Sequence, residues 1–232
     1  SVKKGSDIKM DKKDKFEVKT HFLMAICGGF LGGYAIFSRM AVFGSAQTAN
    51  LIELVHSILG NDILEMCLRL GALLIYVGAI IIAVYLEKRS KINLKYLCIA
   101  LELLAVLIVG MIPATVDPLL SLYPIFFVTA FQWCVFKGAL GYFSSTIFST
   151  NNVKQTVVSL MEYLLLDDLE EKQEKLKKAQ FFGGTLLSFH IGVALSCFAC
   201  RIYSIHGIWL AIIILLVNLS YIVYAYNSKE EY

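Results

Sequence analysis

The feature that most constrains this chain is a series of continuous apolar stretches, each close to the thickness of a bilayer in length. A hydrocarbon core of roughly 30 Å takes about 20 residues of helix. Six stretches fit this reading, at 22–43, 63–86, 96–111, 122–148, 181–202 and 205–226. Lipid offers the main chain no hydrogen-bond partners, so a spanning segment must be a helix or part of a closed barrel. The stretches are continuously apolar and lack the period-two polarity of barrel strands. Composition agrees: 58% of residues are hydrophobic, 17% are charged and the mean hydropathy is +0.69. A soluble domain carries about 25% charged residues. The expected fold is therefore an all-α integral membrane protein of six transmembrane helices, with the lipid bilayer as its first partner.

Basic residues set the expected orientation. The polar leader 1–20 holds Lys3, Lys4, Lys9, Lys12, Lys13, Lys15 and Lys19, and is expected to carry no fold. The stretch after it is span-length rather than a short signal core. The second connection holds Lys88, Arg89 and Lys91, with Lys95 behind it, and Lys172, Lys175, Lys177 and Lys178 precede the fifth stretch. Segments 44–62 and 113–124 contain neither Lys nor Arg, and only Arg201 lies near the third non-basic connection. The pattern predicts a multi-pass protein of the plasma (cytoplasmic) membrane with both termini in the cytoplasm.

Two segments interrupt the spans. The polar turn 45–50 leads into a short apolar stretch ending at Leu59, and the turn 149–152 leads into another ending at Leu166. Thr48 corresponds to Thr150, Asn50 to Asn152 and Ser57 to Ser159. Further on, the Gly71–Leu74 motif GALL echoes GTLL at 184–187, and the charged run 167–178 takes up the longer spacing of the second copy. This is an internal repeat. The first copy is 21–113 and the second 114–228, followed by a tail at 229–232. Each copy has three spans and one short interrupted or re-entrant helix, so the charge rule makes the copies inverted. Inverted repeats with interrupted helices are a common plan of secondary transporters.

At 28–54 the sequence reads GGFLGGYAIFSRMAVFGSAQTANLIEL, and here it resembles the YoaK family of bacterial membrane proteins of unknown function. Gly28, Gly29, Phe43, Gln47, Thr48 and Asn50 fit that family's first-half pattern, and Gln132, Lys137 and Thr150 fit the second half. Gly32 stands where the family has Asp, Ala49 and Asn151 stand where it has Gly, and Trp133 stands where it has Asn. The resemblance implies a six-span membrane protein and supplies no reaction. A cation or proton role of the family's Asp would not transfer to Gly32.

Ionisable groups inside a bilayer are costly and point to function. Lys137, read as the middle of the fourth span, is an anion-binding charge or one half of a structural pair. Glu102 in the third span is a partner for Lys137, a proton site or a group near the inner interface. His190 in the fifth bonds to a neighbouring helix or responds to pH. Arg39 and Arg69 read as interface anchors. Thr48, Asn50, Gln132, Thr150, Asn151 and Asn152 are expected to line a solute site at the paired turns, where helix N-termini suit an anion. The same Thr and Asn residues are equally good caps. Glu53, with His56 one turn on, suits a cation or proton. It has no copy, because Gln155 and Val158 occupy the matching positions. The glycine clusters at 28–33 and 183–184 read as packing faces.

Six cysteines, at 27, 67, 98, 134, 197 and 200, lie within apolar stretches and read as reduced packing residues. No metal site, cofactor or nucleic-acid partner is expected. No metalloprotease pair, nucleophile elbow or clustered acid set is present, so the chain is not expected to be an enzyme. The leading expectation is a small-solute transporter or permease with its site between the repeats, taking an anion by preference. A membrane scaffold, or a ligand-binding receptor without transport, remains open beside it, as does a homodimer through the glycine faces.

Overall fold

A computed structural model describes residues 11–39 and 47–227. The described chain is almost entirely helical. In order, the elements are α1 (Lys12–Arg39), α2 (Gln47–Leu59), α3 (Ile63–Arg89), α4 (Leu94–Met111), α5 (Pro118–Ser121), α6 (Tyr123–Val135), β1 (Gly138–Ala139), β2 (Tyr142–Phe143), α7 (Thr150–Leu165), α8 (Leu169–Tyr203), a 3-10 segment (Ser204–Leu210) and α9 (Ala211–Asn227). Four helical stretches are long and apolar enough to cross a membrane: α1, α3, α4, and the continuous run from α8 into α9. α6 is apolar but short.

Short polar residues start these helices where the sequence leaves the apolar runs. Asp62 accepts the Glu65 amide at 3.0 Å, Asn93 the Lys95 amide at 3.1 Å, and Asp117 the Leu119 amide at 2.8 Å. Asp168 accepts the amides of Glu170 and Glu171, each at 3.0 Å. Each cap satisfies amides that the first helical turn leaves without a partner.

The helices pack pairwise. α1 lies along α8, α3 along α6, α2 on α3, α7 on α8, α4 on α6 and α9 on α1. α1 is central: 72% of its most apolar window is buried, against 22% for α3. Glycines allow α1 and α8 to meet backbone to backbone. A side chain at Gly29 would overlap the Phe189 carbonyl, and one at Gly192 would overlap the Ile26 carbonyl. Outward-facing Leu74, Ile81, Leu164, Leu187, Phe198 and Ile213 are exposed. Such a continuous apolar exterior suits lipid as its solvent.

One expectation fails. The stretch 122–148 is not one tilted helix, because α6 stops at Val135. Gly138 (φ +148°), which opens β1, and Gly141 (φ +78°), in the turn, adopt left-handed backbone, and β1 and β2 pair as a hairpin. Residues 144–149 then turn back into the bundle. Thr146 is fully buried, and its carbonyl packs against Gly28 on α1. α7 starts at that depth and returns along α8, with Thr156 beside Gly183 and Glu162 paired to Lys175 at 2.9 Å. Hydropathy could not separate these parts, because the returning segment is itself apolar. Lys175 on α8 therefore bonds across to α7.

Candidate functional site

The returning segment is held by two amides. Gln132 on α6 donates to the Met24 carbonyl at 2.9 Å and to the Thr146 hydroxyl at 2.8 Å. Asn152, in the first turn of α7, accepts from the Ser144 hydroxyl at 2.9 Å and donates to the carbonyls of Ser145 (2.8 Å) and Phe148 (3.2 Å). Both side chains are fully buried. Asn152 satisfies two main-chain carbonyls that the non-helical segment would otherwise leave bare, and Gln132 ties that segment to α1.

Next to them lies a polar seam among α1, α4, α6 and α9. Glu102 on α4 is wholly buried, and its Oε1 accepts only the long Cys98 Sγ contact at 3.5 Å. Asn218 on α9, also wholly buried, donates to the Met24 sulfur. The Cys27 thiol, one turn along α1 from Met24, interacts with Asn218 and lies within electrostatic reach of Glu102. Three acceptor oxygens in the seam have no donor: Glu102 Oε2, Gln132 Oε1 and Asn218 Oδ1. A buried acceptor without a donor is costly, and a carboxylate the more so. What such a seam can receive is a donor: a proton on the carboxylate, a water, or an N–H or O–H group of a solute.

Two cavities open at the end of the bundle where α1 begins and α3 ends. One, of about 190 Å3, is lined by Glu17, Thr20, His21, Lys95, Lys137 and Gly138, among others. The other, of about 360 Å3, shares Lys95 and Val135 with it.

The structure brings together only part of the expected site. Asn50 is buried, but it donates to Gln47 Oε1 and to the Arg69 carbonyl, each at 3.1 Å, and so ties α2 to α3. Thr48, Thr150 and Asn151 are exposed. The first polar turn lies partly outside the described residues. Lys137 is not mid-helix: it follows the end of α6, is exposed, and pairs with Glu87 on α3 at 2.6 and 2.8 Å. It is therefore no partner for Glu102. His190 is exposed and its Nδ1 lies 2.8 Å from the carbonyl of Leu186 on its own helix, not a neighbouring one. Glu53 and His56 are exposed on α2. Arg39 is no interface anchor. It is buried, and its guanidinium donates to the carbonyls of Val109 (3.2 Å), Ile112 (2.8 Å) and Pro113 (3.2 Å), capping the end of α4. Arg69 pairs with Glu65 one turn away.

Sequence reasoning missed Asn218, Thr146, Cys98, Thr20 and His21. Asn218 was detectable as the one amide within the apolar stretch 205–226. Thr20 closes the leader and His21 opens the first copy, just before the first apolar stretch, and no motif singles either of them out. Among the described residues no group of three or more His, Cys, Asp or Glu side chains is arranged to hold a metal ion.

Long apolar helices, an apolar exterior and polar groups turned inward define a multi-pass membrane protein built as a helical bundle. Within that class, the chain belongs to the family described as a protein of unknown function (DUF1275), which matches residues 20–221. No curated protein and no solved structure matches the chain.

Proposed function

We propose that this protein is a small-solute transporter or permease of the cytoplasmic membrane. Its site lies between two inverted repeats, and Glu102 takes up and releases a proton as the solute moves. The observation that carries this reading is Glu102 itself, a wholly buried carboxylate with one oxygen unpaired, facing further acceptors in the middle of an apolar bundle. Ionisable side chains retained in such positions mark ion and proton paths. Ionised, the group only accepts; protonated, it also donates. One proton thus changes both the charge and the hydrogen-bonding sense of the seam, where no bulk water screens the change.

The packing supports two repeats. Exchanging α1 with α6, α2 with α7, α3 with α8 and α4 with α9 maps the helix pairs onto one another. α1 lies on α8 as α6 lies on α3, α2 lies on α3 as α7 lies on α8, and α4 lies on α6 as α9 lies on α1. In this reading α5 and α6 make the fourth of six crossings, and α2 and α7 are the interrupted helices. The concentration of Lys and Arg at one end supports cytoplasmic termini. The YoaK-like motif at 28–54 falls inside the family match. Rocking of one repeat against the other would expose the seam to each side in turn.

The test is uptake into proteoliposomes under an imposed pH gradient, with a panel of carboxylates, inorganic anions, amino acids, sugars and vitamins. The expected result is saturable uptake of at least one compound, driven by the gradient and lost in a folded Glu102→Gln variant. Flat traces across the panel, or a variant that transports and couples like the wild type, overturn the reading.

A further inference from the structure

The seam around Glu102 has a shortage of one kind only. Glu102 Oε2, Gln132 Oε1 and Asn218 Oδ1 are all acceptors, all belong to wholly buried side chains, and none has a donor. Groups so deeply buried are almost always paired within a protein. The three side chains meet around a single turn of α1. Gln132 donates to the Met24 carbonyl, Asn218 donates to the Met24 sulfur, and the Cys27 thiol interacts with Asn218 and lies within electrostatic reach of Glu102. The titratable groups facing Glu102 are thiols: Cys98 on its own helix and Cys27 on α1, with Cys134 of α6 in reach of Cys98. From α9 comes the neutral Asn218, and His206 of the 3-10 segment lies two turns further along α4, at the Gly110 carbonyl. Lys95 lies two turns back along α4, over the Phe16 ring. Among the described residues no cation pairs with Glu102. An ionised carboxylate in an apolar bundle is costly without a counter-charge, so either a proton or a cation must neutralise it.

We propose that Glu102, Gln132 and Asn218 form a binding site for a single sodium ion, which competes with the proton for the Glu102 carboxylate. Carboxylate and amide oxygens suit a hard cation, whereas the soft Met24 sulfur already accepts from Asn218. One carboxylate balances one positive charge, and a divalent ion would leave a surplus charge in the bundle. Ile99 and Val106, one turn to either side of Glu102, are wholly buried too. Such packing favours a small ion over potassium or ammonium. The exchange conserves charge. As sodium enters, the O–H bond of the protonated carboxyl breaks, the proton leaves to water on the side then open, and the freed oxygen takes the ion. The ionised carboxylate is thus never left alone in the core. Linkage is reciprocal, so sodium binds more tightly as pH rises and releases a proton when it binds. The proposal rests on the transport reading only for its role, as a coupling ion. Binding itself does not depend on that reading.

The experiment is equilibrium binding of radioactive sodium to the purified full chain, in neutral detergent and sodium-free choline buffer, over a series of pH values. Potassium, ammonium and calcium serve as competitors. Variants are Glu102→Gln, Asn218→Leu and, as a charge control away from the seam, Glu170→Gln, whose Glu is exposed on α8. We expect saturable binding whose dissociation constant falls by about tenfold per pH unit while Glu102 is protonated. Binding is lost in Glu102→Gln, weakened at least tenfold in Asn218→Leu and unchanged in Glu170→Gln. Each competitor displaces sodium at least tenfold less well than sodium itself. A second measurement uses the wild type alone, so the folding of a variant does not decide the matter. A hydrophobic carbodiimide couples to a protonated buried carboxyl, and sodium should slow its labelling of Glu102, read by peptide mass spectrometry, where potassium does not. The proposal is overturned if no sodium binds, if binding ignores pH or survives Glu102→Gln, if a competitor binds as tightly, or if sodium leaves the labelling unchanged. Sodium binding without any proteoliposome uptake would retain this site and remove the transporter reading. Proton-driven uptake by a protein that binds no sodium would do the reverse.

Discussion

Arg39 shows how one side chain can join two parts of this bundle. Its guanidinium sits at the C-terminal end of α4 and donates to the carbonyls of Val109, Ile112 and Pro113. A cation there also meets the negative end of the helix dipole. Lys has one ammonium and cannot reproduce the planar fork. We expect Arg39→Lys to destabilise the protein by about 2 kcal/mol and Arg39→Met by about 3 kcal/mol, since a hydrogen bond to a charged group contributes roughly 1.5–3 kcal/mol. Equilibrium unfolding in detergent checks this, and equal stability of Arg39→Met would show that the cap contributes nothing. At the same scale, a side chain at Gly29 would enter the Phe189 carbonyl on α8. Gly29→Ala should cost about 1–3 kcal/mol, as overpacking commonly does. The sequence marked Arg39 as notable and Gly29 as a packing residue. It could not tell that Arg39 faces inward, because that depends on where the end of α4 arrives.

The informative element is the segment from Val135 to α7. Its apolar residues promised a long helix, and two left-handed glycines and a hairpin turned it back instead. Asn152 holds the returning chain through three hydrogen bonds. Asn152→Ala leaves buried carbonyls and a hydroxyl without partners, so we expect a loss of about 2–3 kcal/mol, from roughly 1–3 kcal/mol per unsatisfied group. Asn50→Ala should cost less, near 1 kcal/mol, because Asn50 bonds chiefly to one helix carbonyl and one side chain. Thermal unfolding of the two variants side by side measures the difference. Equal losses would mean that the two turns are supported alike. The pairing of Asn50 with Asn152 was plain in the sequence, and so was their suitability as caps. Their unequal work was not, because only the second turn connects to a non-helical segment inside the bundle.

For the whole molecule, the prediction concerns sidedness. The end of α3 and the turn after it hold the exposed basic residues Lys88, Arg89 and Lys91, whereas the largely exposed segment before α5 holds none. In a background where the exposed Cys67 is replaced by Ser, a membrane-impermeant thiol reagent should label Thr115→Cys in intact cells. Lys91→Cys should be labelled only after permeabilisation. The opposite pattern would reverse the proposed orientation. The sequence by itself determined the solvent of this protein, the helical nature of its spans and the location of its two short helices. Those properties follow from local composition: run length, capping residues and the need of every backbone group for a partner. Tertiary structure alone decided which polar residues meet. Glu102, Gln132 and Asn218 lie on three helices far apart in sequence and come together around Met24 and Cys27 only when α4, α6 and α9 close on α1. Lys137 left the core for Glu87 because α6 ends where no hydropathy count could see it. A contact between distant helices depends on their packing angles and register, and no short window of sequence carries that information.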